Sequence, residues 1–525
     1  MPIRLQNLTL DVNEPGSLLA RKAAERLDLP VVMIRHIQVV RRAIDARGKQ
    51  VRFVHTVDIA LSDPAAEAEA IAKGKAAAIE PAAAVSLNPG TEEVHGRIVV
   101  VGCGPAGLFA ALQLAKMGYR PLLLERGGPI AERSRDVGRF LSSRELDADS
   151  NLLFGAGGAG TYSDGKLYSR IRDPRVRSVL ETFVAAGASE ELLIEARPHI
   201  GTDRLHGVVT NLCGELERLG GEIRWRERVT ELAVAGGVLR GVKTVRGTIE
   251  SNGLVLAIGG SARDTFEALR QSGLALEPKP FQMGLRIEHP REVIDRAIYG
   301  RHAGHPRLGA ADYVLAAESV AAFCVCPGGV LVAACSEAGA VCTNGMSAHA
   351  RDGEFTNAAL VATVQPKAFG AEPLSGLEYQ RRWEREAFHA GGGDYSAPAQ
   401  GAKDFLAGRV RALGRSTTYP LGVRPAALER VLPAAVRSAI AAALPGFERR
   451  IPGFAGEAAV LVGVEARASC PVRIVRDPAR RVSVSADGVY PAGEGSGYSS
   501  GIMSSAVDGL TAAEALVSRF APPRS

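Results

Sequence analysis

The feature that most constrains the fold is the stretch RIVVVGCGPAGLFAALQLAK at residues 97–116, which carries no charge between its first and last residues. Its length alone would permit a membrane span, since about 20 apolar residues cross a bilayer. Its internal order favours a different structure. A β-branched run leads into Gly102, Gly104 and Gly107, a helical pattern follows, and a second short strand ends at Glu125. Strand, glycine turn, helix and a strand with a terminal acid form the dinucleotide-binding fingerprint.

Each part of this fingerprint has a physical role. Gly102 permits a tight turn, Gly104 lets backbone amides approach a pyrophosphate, and Gly107 lets the helix pack close to the strand. The helix N-terminus offers partial positive charge to the phosphates, and Glu125 can accept hydrogen bonds from a ribose diol. We therefore predict cofactor contacts from Gly102, Gly104, Pro105, Ala106, Gly107, Glu125 and Arg126.

The composition of the 525 residues is that of an ordinary globular protein, with 46% hydrophobic and 23% charged residues. The net charge of +6 is small for this length and indicates no general attraction to nucleic acid. Seven cysteines, an odd number without regular spacing, do not suggest a disulfide framework. The N-terminal residues contain no apolar signal-peptide core, so we predict a cytoplasmic protein without membrane contact.

Three further segments resemble parts of a nucleotide site. The segment GVYPAGEGSGYSSGI at 488–502 is a short strand, a Gly/Ser turn and the start of a helix, and NGLVLAIGG at 252–260 is a strand that ends in two glycines. The loop NLLFGAGGAGTYSDGKL at 151–167 holds five glycines, whose entropic cost implies a close approach of main chain to something. A plain buried strand and a flexible surface loop are the alternatives for the last two segments. The further predicted cofactor contacts are Gly157, Gly158, Ala159, Gly160, Thr161, Ala257, Gly259, Gly493, Glu494, Gly497, Gly501 and Ile502.

The order of seven motifs resembles a specific group of proteins: GCGPAGLFAA, GAGGAGTYSDGKL, LAIGGSARDTFE, CVCPGG, TNGMSAHARDG, VEARASCPVRI and YPAGEGSGYSSGI. That group is the bacterial FAD-dependent dehydrogenase-like proteins of glutathione-reductase type with an added N-terminal α+β domain. The resemblance implies FAD as cofactor, with the late turn closing the FAD site and its acidic residue at the ribitol. Two positions depart from the pattern: Glu494 stands where Asp is usual, and Gly260 where a bulkier residue is common.

These features predict an α/β fold. We expect a Rossmann-like FAD-binding domain with a parallel sheet, an inserted α+β substrate domain and a small N-terminal α+β domain. The predicted boundaries are 1–62 for a ferredoxin-like N-terminal domain, 63–94 for a linker, 95–280 and 456–525 for the two parts of the FAD domain, and 281–455 for the inserted domain.

Residues 280–450 contain no second glycine fingerprint, so the electron donor is either NAD(P)H that visits the flavin transiently or a protein. Cys324 and Cys326 stand two apart in an apolar strand, a spacing that places them on one face. It favours inert packing over a redox pair and matches a zinc site poorly, so we predict no metal. Lys166 and Cys326 are weak catalytic candidates, and Arg467 and Arg473 could hold an anionic substrate.

The leading hypothesis is an FAD-dependent oxidoreductase that passes hydride between the flavin and a small substrate. One alternative is an RNA-directed flavoprotein, because the segment from Arg35 to Arg52 holds six basic residues and one acidic one. An ordinary solvated face explains that segment better, so RNA is not an expected partner. Another alternative is a non-catalytic FAD-binding interaction protein. Neither the substrate nor the oligomeric state follows from the sequence.

Overall fold

The computed structural model describes residues 2–48, 50–80, 87–169 and 171–523. Its first sheet has four antiparallel strands. Its strand order is β2-β3-β1-β4, which together with the order of elements is ferredoxin-like connectivity. The elements are β1 (Ile3–Asp11), α1 (Leu18–Leu27), β2 (Ile34–Asp45), β3 (Arg52–Leu61), α2 (Pro64–Ala72) and β4 (Ala77–Ala78).

Helix α2 and strand β4 lie inside the segment 63–94 that the sequence predicted as a linker. Asp63 caps α2 by accepting a backbone amide at 2.8 Å, and the alanine-rich sequence that follows favours helix. Strand β4 then adds to the sheet, with Ala78 opposite Ile3. The first sheet therefore ends at Ala78 rather than at residue 62, and residues 81–86 of the predicted linker lie outside the described residues.

The basic segment from Arg35 to Arg52 lies on β2, the following turn and the start of β3. Three of its arginines form ion pairs: Arg42 with Glu195, Arg47 with Asp45 and Arg52 with Asp11. This pairing reduces the charge available to a phosphate backbone. The expectation that RNA is not a partner stays a prediction.

The next part of the chain, up to residue 278, builds most of a five-stranded parallel sheet and its two covering layers. Its elements are β5 (Ile98–Val101), α3 (Pro105–Lys116), β6 (Leu122–Leu124), α4 (Ile130–Ser143), α5 (Arg175–Ala185), α6 (Thr202–Arg218), β7 (Glu222–Arg224), β8 (Val229–Ala235), β9 (Val238–Thr244), β10 (Gly247–Glu250), β11 (Gly253–Leu256), α7 (Arg263–Gln271) and β12 (Leu276–Pro278).

The part from 281 to 465 builds a seven-stranded mixed sheet with helices. Its elements are β13 (Phe281–Pro290), α8 (Arg291–Tyr299), β14 (Leu315–Ala316), β15 (Val320–Cys326), β16 (Val330–Ala333), β17 (Thr343–Met346), β18 (Phe355–Val364), α9 (Ser375–Ala390), β19 (Ala397–Gly401), α10 (Ala402–Leu406), β20 (Val423–Pro425), α11 (Ala434–Arg450) and β21 (Val460–Glu465). The strand order is β14-β15-β18-β13-β21-β19-β20.

The chain returns to the parallel sheet through β22 (Val472–Ile474), β23 (Val489–Pro491) and α12 (Ile502–Val517). The order of that sheet is β23-β11-β5-β6-β7, so its centre is the strand of the glycine fingerprint. Val100 packs with α3, α5, α6 and α12 on one face, whereas Val99 packs with α7 and the antiparallel strands β8 and β9 on the other. The predicted Rossmann-like arrangement around a parallel sheet agrees with this topology.

Strand β21 differs from the predicted domain division, which assigned residues from 456 onward to the FAD domain. It pairs with β13 and β19 and therefore belongs to the seven-stranded sheet. Its run Val460–Val464 is apolar, and such a run shows that a strand is buried but not which sheet it joins. Among the residues that the structure describes, no helix has both the length and the apolar character needed to cross a membrane.

We predict that Gly509→Ala in α12 destabilises the fold by about 1–3 kcal/mol, because an added Cβ would overpack the interface with α3. That Cβ would lie 2.0 Å from the carbonyl oxygen of Ala106, at the start of α3. The free energy of unfolding by urea measures the effect. The matched control is Gly214→Ala in α6, where a Cβ meets nothing within 4 Å and where alanine should stabilise the helix by about 1 kcal/mol. Equal effects of the two substitutions would contradict the close helix contact.

Candidate active site

A cavity of about 890 Å³ opens at the carboxyl ends of β5, β6, β11 and β23. This is the edge at which parallel α/β sheets bind ligands, and the volume lies in the range of about 300–1,000 Å³ seen for ligand and cofactor sites. The part that the fingerprint glycines line is called the glycine end. The cavity continues to the seven-stranded sheet, where Lys166, Cys324, Asn344 and Glu465 line a second part, called the polar end.

The glycine turn after β5 has the three steric features that the fingerprint predicts. Gly102 has φ +99°, and a Cβ there would lie 2.3 Å from the carbonyl oxygen of Ala257. A Cβ on Gly107 would lie 1.8 Å from the carbonyl oxygen of Gly102, so only glycine lets α3 pack this close to the strand. Gly104 faces the cavity, and a Cβ there would meet no atom closer than 4.0 Å. The open face at Gly104 leaves main-chain amides accessible to a phosphate group.

The late turn meets this glycine turn in the same cavity. A Cβ on Gly493 would lie 2.7 Å from the Cβ of Ala106, so the two turns are in contact. Gly501, with φ +79°, caps α12 at its N-terminus and also lines the cavity. The N-termini of α3 and α12 therefore both face one space, and both direct partial positive charge into it.

The glycine-rich loop forms a further wall of the glycine end. Gly158 has φ +60° and begins a short 3₁₀ helix, Gly158–Tyr162. A Cβ on Gly158 would lie 3.0 Å from the Cα of Gly104, so the two glycine segments approach main chain to main chain. The alternative of a free surface loop is therefore wrong.

Glu125 lies at the end of β6 as predicted, but backbone amides already bind its carboxylate. It accepts hydrogen bonds from the amides of Cys103 at 2.8 Å, Gly127 at 2.8 Å and Gly155 at 2.9 Å. A carboxylate offers about four acceptor positions, so one remains for a ribose hydroxyl. Glu125 thus holds three loops together as well as lining the cavity.

Most of the predicted cofactor residues line this cavity: Gly102, Gly104, Pro105, Ala106, Glu125, Arg126, Gly158, Ala159, Gly160, Ala257, Gly259, Gly493, Glu494, Gly501 and Ile502. Four others, Gly107, Gly157, Thr161 and Gly497, stand outside its lining and shape the turns instead. The Thr161 hydroxyl donates to the carbonyl of Ala156 at 2.9 Å, and Gly497, with φ +82°, packs against the main chain of β22.

Glu494 is a partly buried carboxyl at the glycine end. Burial raises its pKa to about 7, while Lys279 and the amide of Gly501 offset part of this effect. When burial has raised the pKa of a carboxyl group, a hydrogen bond donated by a ligand stabilises its ionised form. A sugar-alcohol hydroxyl is such a donor, so Glu fits this position as the usual Asp does.

The polar end contains a buried ion cluster around Asp164. Its carboxylate pairs with Lys166 at 3.0 Å and with Arg351 at 3.0 Å. Burial alone would raise the pKa of Asp164, but the two cations hold it well below its usual value. Lys166 lines the cavity as predicted, whereas Cys326 lies behind the wall, with its Sγ 3.8 Å from the Nζ of Lys166.

The residue that the sequence analysis missed at the polar end is Glu465. Its carboxylate lies 3.1 Å from Nη1 of the fully buried Arg286. Burial raises the pKa of Glu465 to about 7, and the charge of Arg286 offsets part of the effect. Glu465 belongs to the motif VEARASCPVRI, but the motif does not distinguish it from its neighbours. Its pairing with Arg286 does so, and Arg286 is 179 residues away in the sequence.

The two arginines of that motif have different positions. Arg467 lines the cavity, but Glu384 binds its guanidinium at 2.7 and 2.8 Å. Arg473 pairs with Glu277 at 2.8 Å and is not among the cavity residues. Of these two arginines, an anionic substrate could meet only Arg467, whose charge Glu384 already balances.

The donors and acceptors of this cavity fit FAD. The glycine turn and the N-terminus of α3 suit a pyrophosphate, and Glu125 and Glu494 suit the hydroxyls of ribose and ribitol. The polar end lies in the same space as both turns, as an extended molecule requires.

Comparisons with known proteins agree with this fit. Residues 280–468 match the family model "FAD-dependent protein, C-terminal domain-like", and residues 2–60 match a domain of unknown function, DUF8436. An "Uncharacterized protein" of Clostridium beijerinckii is 41% identical over 534 residues, covering 100% of both chains.

Solved structures show weaker similarity. L-proline dehydrogenase from P. horikoshii covers 81% of this chain and 93% of its own at 12% identity, with a TM-score of 0.33. NikD, an unusual amino acid oxidase, covers 81% and 94% at 15% identity, with a TM-score of 0.32. TM-scores this low support no statement about a substrate. The full-length match instead decides the family: this chain belongs with the Clostridium beijerinckii protein, its residues 280–468 match a family of FAD-dependent proteins, and FAD is its cofactor.

Proposed function

We propose that this protein is a dehydrogenase or reductase that transfers hydride between the N5 atom of bound FAD and a small molecule at the polar end. One observation carries the proposal: a single cavity joins the glycine end, suited to FAD, to a polar end with two ionisable side chains, the partly exposed Lys166 and the buried Glu465. A site that only stored FAD would need no such second compartment.

The residues of the polar end have distinct tasks in this proposal. FAD supplies a two-electron acceptor and donor when it is bound. Glu465, with a pKa near 7, holds or releases the proton that accompanies hydride transfer. Lys166 keeps its charge, because nearby negative charge, including that of Asp164 at 3.0 Å, outweighs burial and raises its pKa. It can therefore orient a substrate oxygen, while Phe323 provides apolar wall beside it.

The N-terminus of α12 has the other electrostatic task. Its first-turn amides have no partners within the helix, and they face the cavity beyond Gly501. Positive potential at this point stabilises the negative charge that reduction places on a flavin. NAD(P)H remains a proposed transient donor, which would have to reach the same polar end.

We predict that the purified holoprotein is yellow and that one hydride donor of a panel containing NADH, NADPH and small metabolites bleaches it under anaerobic conditions. Stopped-flow absorbance follows the bleaching. Glu465→Gln should keep FAD and keep reduction by dithionite, but lower the rate with that donor by roughly 10²–10⁴-fold through loss of proton transfer.

The matched control is Glu277→Gln, which alters the exposed pair with Arg473 and should leave the rate unchanged. Reduction by dithionite but by no hydride donor of the panel would count against the proposal and favour a non-catalytic FAD protein. Equal rates in both variants would remove Glu465 from the reaction.

A second prediction concerns the pH dependence of FAD binding at Glu494. A ribitol hydroxyl donates to the ionised carboxyl, so binding favours ionisation and lowers the pKa from its value of about 7. Affinity should then be highest above pH 7 and fall as pH drops from 8 to 6, at most about tenfold per unit. Fluorescence titration of the apoprotein with FAD measures this.

Glu494→Gln removes the titrating group, so its FAD affinity should vary less with pH over the same interval. Because Glu465 also titrates near pH 7, the difference between wild type and variant carries the test, and Glu277→Gln again serves as control. Identical pH profiles for wild type and Glu494→Gln would show that Glu494 does not contact the cofactor.

A further inference from the structure

Strand β15 contains a bulge at the motif CVCPGG. Phe323 pairs with Ala359 and Cys326 with Asn357, so three steps along β15 face two along β18. Within this bulge Cys324 has φ +51°, a left-handed conformation that residues other than glycine seldom adopt. Bulges of this kind re-aim side chains and occur near active sites.

The bulge gives the two cysteines different surroundings. Cys324 lines the cavity at the polar end, whereas Cys326 is 0% exposed behind it. The Sγ of Cys326 lies 3.7 Å from the carbonyl oxygen of Cys324. Two residues apart in a strand, their Cα atoms are separated by about 6.6 Å before any bend, inside the range of about 4.4–6.8 Å that disulfides span.

Two cations lie against this pair, the fully buried Arg286 and Lys166, whose side chain is 14% exposed. The Nζ of Lys166 is 3.8 Å and the Nη2 of Arg286 is 3.6 Å from the Sγ of Cys326, and Arg286 also donates to the carbonyl of Cys324 at 3.1 Å. A hydrogen bond from the Cys326 thiol lowers the pKa of Cys324, with further lowering by Lys166 and Arg286 against the effect of burial. That same hydrogen bond, together with burial, raises the pKa of Cys326.

Cys103 and Cys342 also line the cavity, but both are buried. Burial is the largest cause that raises the pKa of Cys103, Cys335, Cys342 and Cys470. The pair at 324 and 326 therefore combines a cavity-lining sulfur whose ionisation is favoured with a buried thiol beside it, the arrangement that thiol–disulfide chemistry requires.

We propose that Cys324 and Cys326 form a redox-active pair that exchanges two electrons with the FAD bound in the same cavity. In the oxidising direction the S–H bond of Cys326 breaks and an Sγ–Sγ bond forms. The Cys324 thiolate and Cys326 thiol together lose two electrons and one proton, which pass to FAD. The reverse direction reduces the disulfide. The inference rests on the proposed position of the flavin at the polar end.

The test follows the cysteines themselves in the full-length holoprotein. The protein is oxidised with diamide, freed of reagent and divided into two anaerobic samples. One sample is kept dark, and the flavin of the other is photoreduced with EDTA. Both are alkylated and cleaved with chymotrypsin, since cleavage after Phe323 and Leu331 releases residues 324–331, which hold only these two cysteines. We expect an unlabelled disulfide peptide in the dark and a doubly alkylated peptide after illumination.

Electron counting gives an independent readout. Anaerobic dithionite titration of the oxidised wild type should consume one electron pair for the flavin and one for the disulfide. Cys324→Ser and Cys326→Ser should each consume one pair fewer than wild type and still bleach completely. Cys335→Ser, a buried cysteine outside the cavity lining, is the matched control and should consume as many electrons as wild type.

The outcomes separate this inference from the proposed function. A flavin that bleaches while residues 324–331 carry two labels in the dark sample, or stay unlabelled after illumination, overturns the redox pair and leaves the oxidoreductase proposal standing. Equal electron uptake by wild type and both serine variants also overturns it. Failure of every hydride donor to reduce the flavin, with a light-dependent disulfide present, would instead contradict the small-substrate reaction alone.

Discussion

The structure depends on close contact between backbones where β5, α3 and α12 meet. Gly107 and Gly509 let main chain lie against main chain, Gly493 lies against the Cβ of Ala106, and a Cβ at any of these positions would overlap a neighbour. This contact directs two helix N-termini into one space. Without it the amides of the two turns would diverge, and no single extended cofactor could reach both. The electrostatics of the cavity are therefore a consequence of packing.

Buried ion pairs hold the polar end against the glycine end. Glu384 of α9 is fully buried between Arg263 of α7, at 2.7 Å, and Arg467 just after β21, at 2.8 Å. It thus joins the layer beside the parallel sheet to the seven-stranded sheet. Asp164 does the same between the glycine-rich loop and Arg351. Such pairs stabilise little in net terms, but loss of one partner leaves a buried charge, which fixes the relative position of the two ends.

The sequence predicted the parts of this site that local sterics determine. The turn after β5, the late turn and the glycine-rich loop each carry glycines whose spacing alone indicates their role. It could not predict that β21 joins the second sheet, since an apolar run does not specify its neighbours. Nor could it find Glu465, because the pairing with Arg286 arises only when distant strands align. The helix and strand at 64–78 were missed because alanine-rich sequence punctuated by Pro and Gly also fits a linker.

The cysteines at 324 and 326 show why the alternation of side chains along a strand can fail as a prediction. Strict alternation along β15 would place both side chains on one face, as inert packing. One extra residue in the strand breaks that alternation and turns Cys324 into the cavity, at the cost of a strained backbone conformation. Packing alone gives no reason to retain such a conformation beside the cations Lys166 and Arg286. Where a strand departs from this alternation in the wall of a cofactor cavity, a reactive group is instead expected.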